Sequence, residues 1–371
     1  MSAADLAFED GRVTWTLPPD LETPALVVDL DTLDANLDRM ADGLAQRGVG
    51  LRPHAKTHKS PAIADRQRAR GATGLTVATI GEAELFADHG HDDLFIAYPL
   101  WVTGTKAERL RALCGRATVA VGVDSAESAD HLAAAVRGAP IRAVVEVDSG
   151  QHRSGVRPEA ALAVAIAARR AGLDVAGVFT HGGHSYRPGS AESAAADERE
   201  ALGAAAAALE AEGFEVRVVS AGSTPSALAS AGGRVSEERP GTYVFNDRQQ
   251  VALGQANDDQ LALAVAATVV STSVPGQAVL DAGSKSLASD RPDWLDAHGA
   301  VPELGWAPVV SLSEHHGLVD LGDRPAPPLG SVLRVVPNHV CTVVNLFDRY
   351  VVAQDGKVVD HWPVAARGHL S

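Results

Sequence analysis

Across residues 25–254 the sequence alternates short runs rich in Val, Ile and Leu with alanine-rich amphipathic stretches, and this alternation restricts the fold more than any other feature. A helix that packs back over a sheet returns the chain to start the next strand in parallel, so repeated alternation writes a parallel β/α architecture. Strands are expected at residues 50–56, 75–79, 94–98, 118–123, 141–148, 175–181, 216–222 and 242–245. Helices are expected at 31–47, 61–70, 81–89, 127–136, 158–171 and 192–212, the last capped by Ser190 or Ser193. Eight strands in about 230 residues match the arithmetic of a (β/α)8 TIM-type barrel, typically about 250 residues, although a doubly wound open sheet would satisfy the same alternation. The barrel is the expected α/β fold.

Beyond Gly254 the texture changes. Strand-like runs at 261–273, 277–281, 309–313, 331–336 and 341–352 are separated by Pro, Gly and Asp with little helical periodicity, which is the pattern of an all-β domain. Residues 13–17 also read as a strand that pairs with it. The expected organisation is an N-terminal segment over 1–22, a barrel over 23–254 and a β-rich domain over 255–371 that carries a metal site.

Charge and apolar runs exclude several partners. With 32 basic and 47 acidic residues the net charge is −15, so no basic surface is expected to hold a nucleic acid backbone. The N-terminus lacks the basic start and apolar centre of a secretory signal, and the purest apolar stretch, 261–270, is about half the roughly 20 residues that span a bilayer. A cytoplasmic protein is expected, not a membrane one. Its two cysteines, Cys114 and Cys341, lie far apart and read as reduced thiols rather than a disulfide framework.

Chemistry-bearing residues gather at the expected strand ends, where a barrel keeps its active site. Arg52-Pro53-His54-Ala55-Lys56-Thr57-His58-Lys59 closes the first strand, and alternation points Lys56 inward with Arg52 and His54, placed for a Schiff base. Most charge clusters are solvated loops; the strand-end position argues against that here. At 218–226 a late strand ends in Gly222, Ser223 and Thr224 before a short helix, a turn whose amides and hydroxyls suit a phosphate dianion. Arg239-Pro240-Gly241-Thr242-Tyr243 opens the eighth strand and would complete that cup through the Gly241 amide and Tyr243 hydroxyl. Two more strand ends, Asp148 to Gly155 and Phe179 to Tyr186, present Arg153, His181 and Tyr186 to an aromatic cofactor, whereas His184 reads as a satisfied loop histidine. In Pro337-Asn338-His339-Val340-Cys341 the imidazole and thiol, two apart on a strand, share a face and could share Zn2+. The spacing alone is weak, since His-x-Cys arises readily by chance and a buried Cys is usually a small hydrophobe.

Together with Thr23-Pro24-Ala25-Leu26-Val27-Val28-Asp29, these motifs resemble, in order, the D-serine dehydratase and D-threonine aldolase family of fold-type III pyridoxal-phosphate enzymes. That family has an alanine-racemase-like barrel followed by a β domain, and the resemblance covers nearly the whole chain. It implies that Lys56 carries the cofactor, that Gly222, Ser223, Thr224, Gly241 and Tyr243 grip its phosphate, and that Arg153, His181 and Tyr186 surround its ring. Arg239 would face the pyridine nitrogen. His339 and Cys341 would hold Zn2+, with Mn2+ or another divalent ion as the other candidates. A homodimer is implied.

Dehydratase relatives tend to present His-x-Cys and aldolases His-x-Asp, and soft sulfur favours zinc. The resemblance therefore implies a zinc-dependent dehydratase of a D-3-hydroxy amino acid, in which Lys56 removes the Cα proton, Tyr186 approaches the substrate and zinc assists loss of the β-hydroxyl. D-serine, D-threonine and 3-hydroxyaspartate all remain candidate substrates. Aldol cleavage to glycine and an aldehyde is the alternative; an amino-acid racemase and a non-catalytic cofactor-binding protein are the weaker ones.

Overall fold

The computed structural model describes residues 13–371, so residues 1–12 of the expected N-terminal segment lie outside the described residues. The chain divides into two compact units, one of Asp38–Lys56, Pro61–Gly241 and Gly368–Ser371, the other of residues 13–37, Thr57–Ser60 and Thr242–Arg367.

In chain order, β1 (Ala25–Asp29) belongs to the second unit. The first unit holds β2 (Gly50–Leu51), β3 (Leu75–Val77), β4 (Asp93–Pro99), β5 (Thr118–Val123), β6 (Ile141–Glu146), β7 (Asp174–Phe179), β8 (Val218–Ala221) and β9 (Glu237–Glu238). The second resumes with β10 (Leu263–Ser271), β11 (Gln277–Leu280), β12 (Gly299–Val301), β13 (Ala307–Leu312), β14 (Gly317–Asp320), β15 (Val332–Pro337), β16 (Arg349–Gln354) and β17 (Lys357–Pro363).

The eight strands of the first unit pair in the order β2-β9-β8-β7-β6-β5-β4-β3, all in parallel. Backbone bonds close the ring: Thr73 N to Leu51 O at 2.8 Å, Thr76 N to Pro53 O at 2.9 Å and Ala55 N to Thr76 O at 2.8 Å. The expected barrel is therefore the fold. Apolar positions of the helices and the outer strand faces, among them Leu110, Leu132, Val164 and Leu202, form the layer between helix and sheet. Phe95, Val144, Ala176 and Phe179 fill the interior, the two phenyl rings meeting edge to face at 5.0 Å. Arg52 ties the closing seam, donating to Glu237 at 2.7 Å and to Asp93 at 2.8 Å.

In the second unit the strand order is β11-β14-β13-β12-β15-β10-β1-β16-β17, and β11 also pairs with β10, so six strands close on themselves. All pairings are antiparallel except that of β1 with β16. This is the expected all-β domain, and β1 extends it from the N-terminal side of the sequence.

Four local expectations are corrected. Residues 242–245 are no strand but a 3-10 turn, Thr242–Val244; the eighth strand is the short β9, because Pro240 has no N–H for a ladder. The Arg239–Tyr243 motif thus leaves the eighth strand instead of opening it. The first strand is two residues long rather than seven: Pro53 interrupts it, the ladder survives only as single bonds to Ala55, and Lys56 sits in the following turn. Residues 13–17 form no strand; Val13 and Trp15 are buried against Val27, Ala264 and Val351, and Trp15 Nε1 donates to the Leu261 carbonyl at 2.8 Å. The strand expected at 341–352 begins only at Arg349; its first residues lie in a helical turn, Val340–Val344, which begins where the Asp247 carboxylate accepts the Val340 N–H at 3.1 Å.

Candidate active site

In the barrel unit, the residues singled out for the cofactor all follow the C-terminal ends of strands. Lys56 comes one residue after the last closing bond of β2, with its amide 3.4 Å from His54 Nδ1. Arg153 and the pair His181 and Tyr186 follow β6 and β7; Arg153 is exposed, the other two partly buried. His181 is held neutral: burial pushes its pKa well below the ordinary value, and the cations Lys56, Arg153 and Arg239 push in the same direction. A neutral imidazole offers a flat face to an aromatic ring.

After β8, Gly222 turns the chain with φ of +100°, a conformation side chains resist. A Cβ here would lie 1.9 Å from Glu238 Oε2. The Gly222 N–H donates to Glu198 Oε2 at 2.7 Å, so the carboxylate holds the turn in place. Ser223 Oγ sits 2.7 Å from Ser185 Oγ and 2.9 Å from Ser226 Oγ, and the Gly241 N–H donates to Thr224 Oγ1 at 3.2 Å. The turn thus gathers the Ser223 and Thr224 hydroxyls, polar groups that suit a phosphate, while the Gly222 and Gly241 amides donate to Glu198 and Thr224. Tyr243 is buried on the turn Thr242–Val244, in the other unit.

Arg239, fully inside the barrel, donates to Ser220 Oγ at 2.6 Å and to the Thr180 carbonyl, with its guanidinium 5.3 Å from the Phe179 ring. Burial lowers its pKa, opposed by Glu237, Glu238, Glu198 and Glu146. Of these carboxyls, Glu146, Glu198 and Glu238 are raised by burial, Glu238 most and with Glu198 adding to it. His184, on the 3-10 turn Gly183–Ser185, brings Nε2 to 3.2 Å from Asp197 Oδ2 but keeps Nδ1 buried without a hydrogen-bond partner, so the expected satisfied loop histidine is met at one nitrogen only.

In the β unit, His339 caps the turn Val340–Val344 and Cys341 lies in its first residues, so the shared face comes from a helix start rather than a strand. His339 Nδ1 is 2.7 Å from Asp290 Oδ2. The Cys341 sulfur has Thr57 Oγ1 at 3.1 Å and Thr242 Oγ1 at 3.7 Å. Burial alone would lower the His339 pKa, but the Cys341 sulfur, a hydrogen bond from the ring to each of Asp290 and Cys341, and the charge of Asp247 raise it well above its ordinary value. A proton and a divalent cation compete for such a nitrogen, and imidazole with thiolate is a donor set that fits zinc. Among the described residues no group of three or more His, Cys, Asp or Glu is arranged around one ion, so a metal here would keep open positions, as catalytic zinc does.

Sequence reading missed Glu198, Glu238, Ser185 and Asp290. Glu198 was legible: it interrupts the apolar stripe of Ala194, Ala201 and Ala205 on the buried face of the helix Ala191–Ala211. Ser185 lay inside a quoted motif. Glu238 and Asp290 carry no local signal, since only tertiary contact brings them to Gly222 and His339. No helix among the described residues is long and apolar enough to cross a membrane.

Comparison with known proteins shows the family. The family model for the alanine racemase N-terminal domain matches residues 28–249, and that for a putative serine dehydratase domain matches residues 262–353. D-threo-3-hydroxyaspartate dehydratase from Delftia sp. (strain HT23) is 35% identical, over 91% of this chain and 96% of its own length. D-threonine aldolase from Arthrobacter sp. is 37% identical, over 94% of this chain and 93% of its own. The crystal structure of D-threonine aldolase from Filomicrobium marinum superposes with a TM-score of 0.88 at 34% identity, covering 96% of this chain and 99% of that one. A histidine mutant of a D-threo-3-hydroxyaspartate dehydratase and a cysteine mutant in the metal-free form, each with a TM-score of 0.85 at 34% identity, carry substitutions two residues apart, the spacing of His339 and Cys341. The chain belongs to the D-serine dehydratase and D-threonine aldolase family of alanine-racemase-like, fold-type III pyridoxal-phosphate enzymes.

Proposed function

We propose that this chain is a pyridoxal-phosphate- and zinc-dependent lyase that dehydrates D-3-hydroxy amino acids, taking a D-serine-like substrate to a 2-oxo acid and ammonia. The observation that carries the reading is the His339 and Cys341 pair at the start of the turn Val340–Val344, an imidazole and a thiol whose chemistry fits zinc. The dehydratase relative, with its metal-free cysteine mutant, supports it.

Lys56 would hold the cofactor through Nζ and, once freed by substrate, remove the Cα proton. The cluster of Gly222, Ser223, Thr224 and Gly241, with Tyr243, would bind its phosphate; Arg153, His181 and Tyr186 would border its ring, with Tyr186 nearest the substrate. Bound pyridoxal phosphate supplies an electron sink for the pair left at Cα. Zinc on His339 and Cys341 supplies a Lewis acid for the β-hydroxyl. Arg239 keeps its proton among four carboxyls and does not act as an acid near neutral pH. Loss of the Cα proton and the β-hydroxyl leaves an enamine, whose hydrolysis yields the 2-oxo acid and ammonia. A cytoplasmic homodimer completes the reading.

The aldolase relative at 37% identity favours a second reading, cleavage to glycine and an aldehyde. Incubating the cofactor- and zinc-loaded protein with D-serine, D-threonine and D-threo-3-hydroxyaspartate separates the two. Oxo acid with ammonia is expected; glycine with aldehyde replaces the dehydratase by the aldolase, and no turnover of any substrate sinks both. Lys56→Ala should lose the visible absorbance of the bound cofactor together with activity.

A further inference from the structure

The motif Pro337-Asn338-His339-Val340-Cys341 contains a buried asparagine that metal binding by its neighbours leaves unexplained. Asn338 Nδ2 donates to two carbonyls of one loop, Asp290 at 2.9 Å and Ala297 at 2.6 Å, while Asn338 Oδ1 accepts from Arg248 Nη1 at 2.8 Å. The loop that bears Asp290 is thereby stitched to the residue preceding His339. Its carboxylate then meets the imidazole, Oδ2 lying 2.7 Å from Nδ1 and accepting in addition from Thr342 Oγ1 at 3.1 Å. A carboxylate oxygen at that distance holds the proton on Nδ1, so Nε2 is the nitrogen left to take an ion in place of its own proton.

We propose that Asp290 is a positioning residue of the metal site: it fixes the tautomer and the ring plane of His339, and Asn338 fixes Asp290. The inference rests on the reading of His339 and Cys341 as metal ligands. Asp290 need not touch the ion. A carboxylate behind a ligating histidine orients the ring and increases the basicity of the nitrogen in front, and losing such a partner typically weakens metal affinity by about 10- to 100-fold. Thr342, in the same helical turn as Cys341, gives Oδ2 its second donor, so the carboxylate's own orientation is set by the element it serves.

The test measures Zn2+ affinity by chelator competition, and the visible spectrum with Co2+ in place of Zn2+, on the cofactor-loaded full-length protein, comparing wild type, His339→Ala, Asp290→Asn and Asp290→Ala. Wild type should bind one ion per chain with an absorption from the cobalt-thiolate bond, and His339→Ala should lose both. Asp290→Asn and Asp290→Ala should each weaken affinity about 10- to 100-fold and shift the cobalt spectrum, with the cofactor absorbance and the melting temperature of the metal-free protein close to wild type. A wild type that binds no ion overturns the metal reading and this inference with it. Wild-type binding lost in His339→Ala but unchanged within threefold in both Asp290 variants overturns this inference alone.

Discussion

Gly222→Ala tests how the turn after β8, the proposed phosphate site, is built. At φ of +100° an alanine bears backbone strain of about 1–3 kcal/mol. Its Cβ would arrive 1.9 Å from Glu238 Oε2. The end of a glutamate can often swing aside, but this one is fully buried and its other oxygen accepts from Ser230 Oγ at 2.8 Å. Displacing it breaks a buried hydrogen bond, about 1–3 kcal/mol more. The sum is about 2–6 kcal/mol, and at roughly 2–4 °C per kcal/mol for a domain of this size the melting temperature of the cofactor-free protein should fall by about 4–24 °C. Pyridoxal-phosphate affinity should drop with it, because the same turn is pinned through its N–H to Glu198. Calorimetry and a cofactor titration read the two effects. The double variant Gly222→Ala, Glu238→Ala removes the obstructing atom and should recover part of the single-variant loss, a coupling of about 1–3 kcal/mol. A Gly222→Ala protein within about 1 kcal/mol of wild type, with unchanged cofactor affinity, would refute the account of the turn.

Two further expectations concern the scaffold. Arg52 is an almost fully buried cation between Glu237 and Asp93; Arg52→Met leaves the buried Glu237 carboxylate without its partner and should cost about 3–5 kcal/mol in a denaturation series, a loss below 1 kcal/mol counting against the ion pair as the tie of the barrel seam. Burial raises the Cys114 thiol pKa to about 11 from an ordinary 9.0. Between those values the unfolded chain has given up a proton that the folded one keeps, so stability falls as pH rises through pH 9 to 11, by up to about 3 kcal/mol. Cys114→Ala should flatten that part of the stability profile, and a slope identical to wild type there would show that Cys114 does not produce it.

Residue order alone determined the broad plan. The alternation of apolar runs and alanine-rich helices determines a parallel β/α unit, since each helix must return the chain to the end of the sheet where the next strand starts, and the change of texture after Gly254 determines a β domain; closure into a barrel rather than an open sheet was decided by the bonds that join Leu51, Pro53 and Ala55 to Thr73 and Thr76. The motifs that bear chemistry also stand in the sequence, because a covalent lysine or a metal thiolate requires that residue type and no other. What the sequence could not specify were strand ends and long-range partners. Pro53 and Pro240 shortened two strands through donors they lack, which left Lys56 in a turn and turned the Arg239 motif into an exit from the barrel. The partners of Gly222 and His339 are hidden for another reason: Glu238 and Asp290 lie 16 and 49 residues away along the chain, and a contact across such a separation depends on how whole elements pack, which no local propensity encodes.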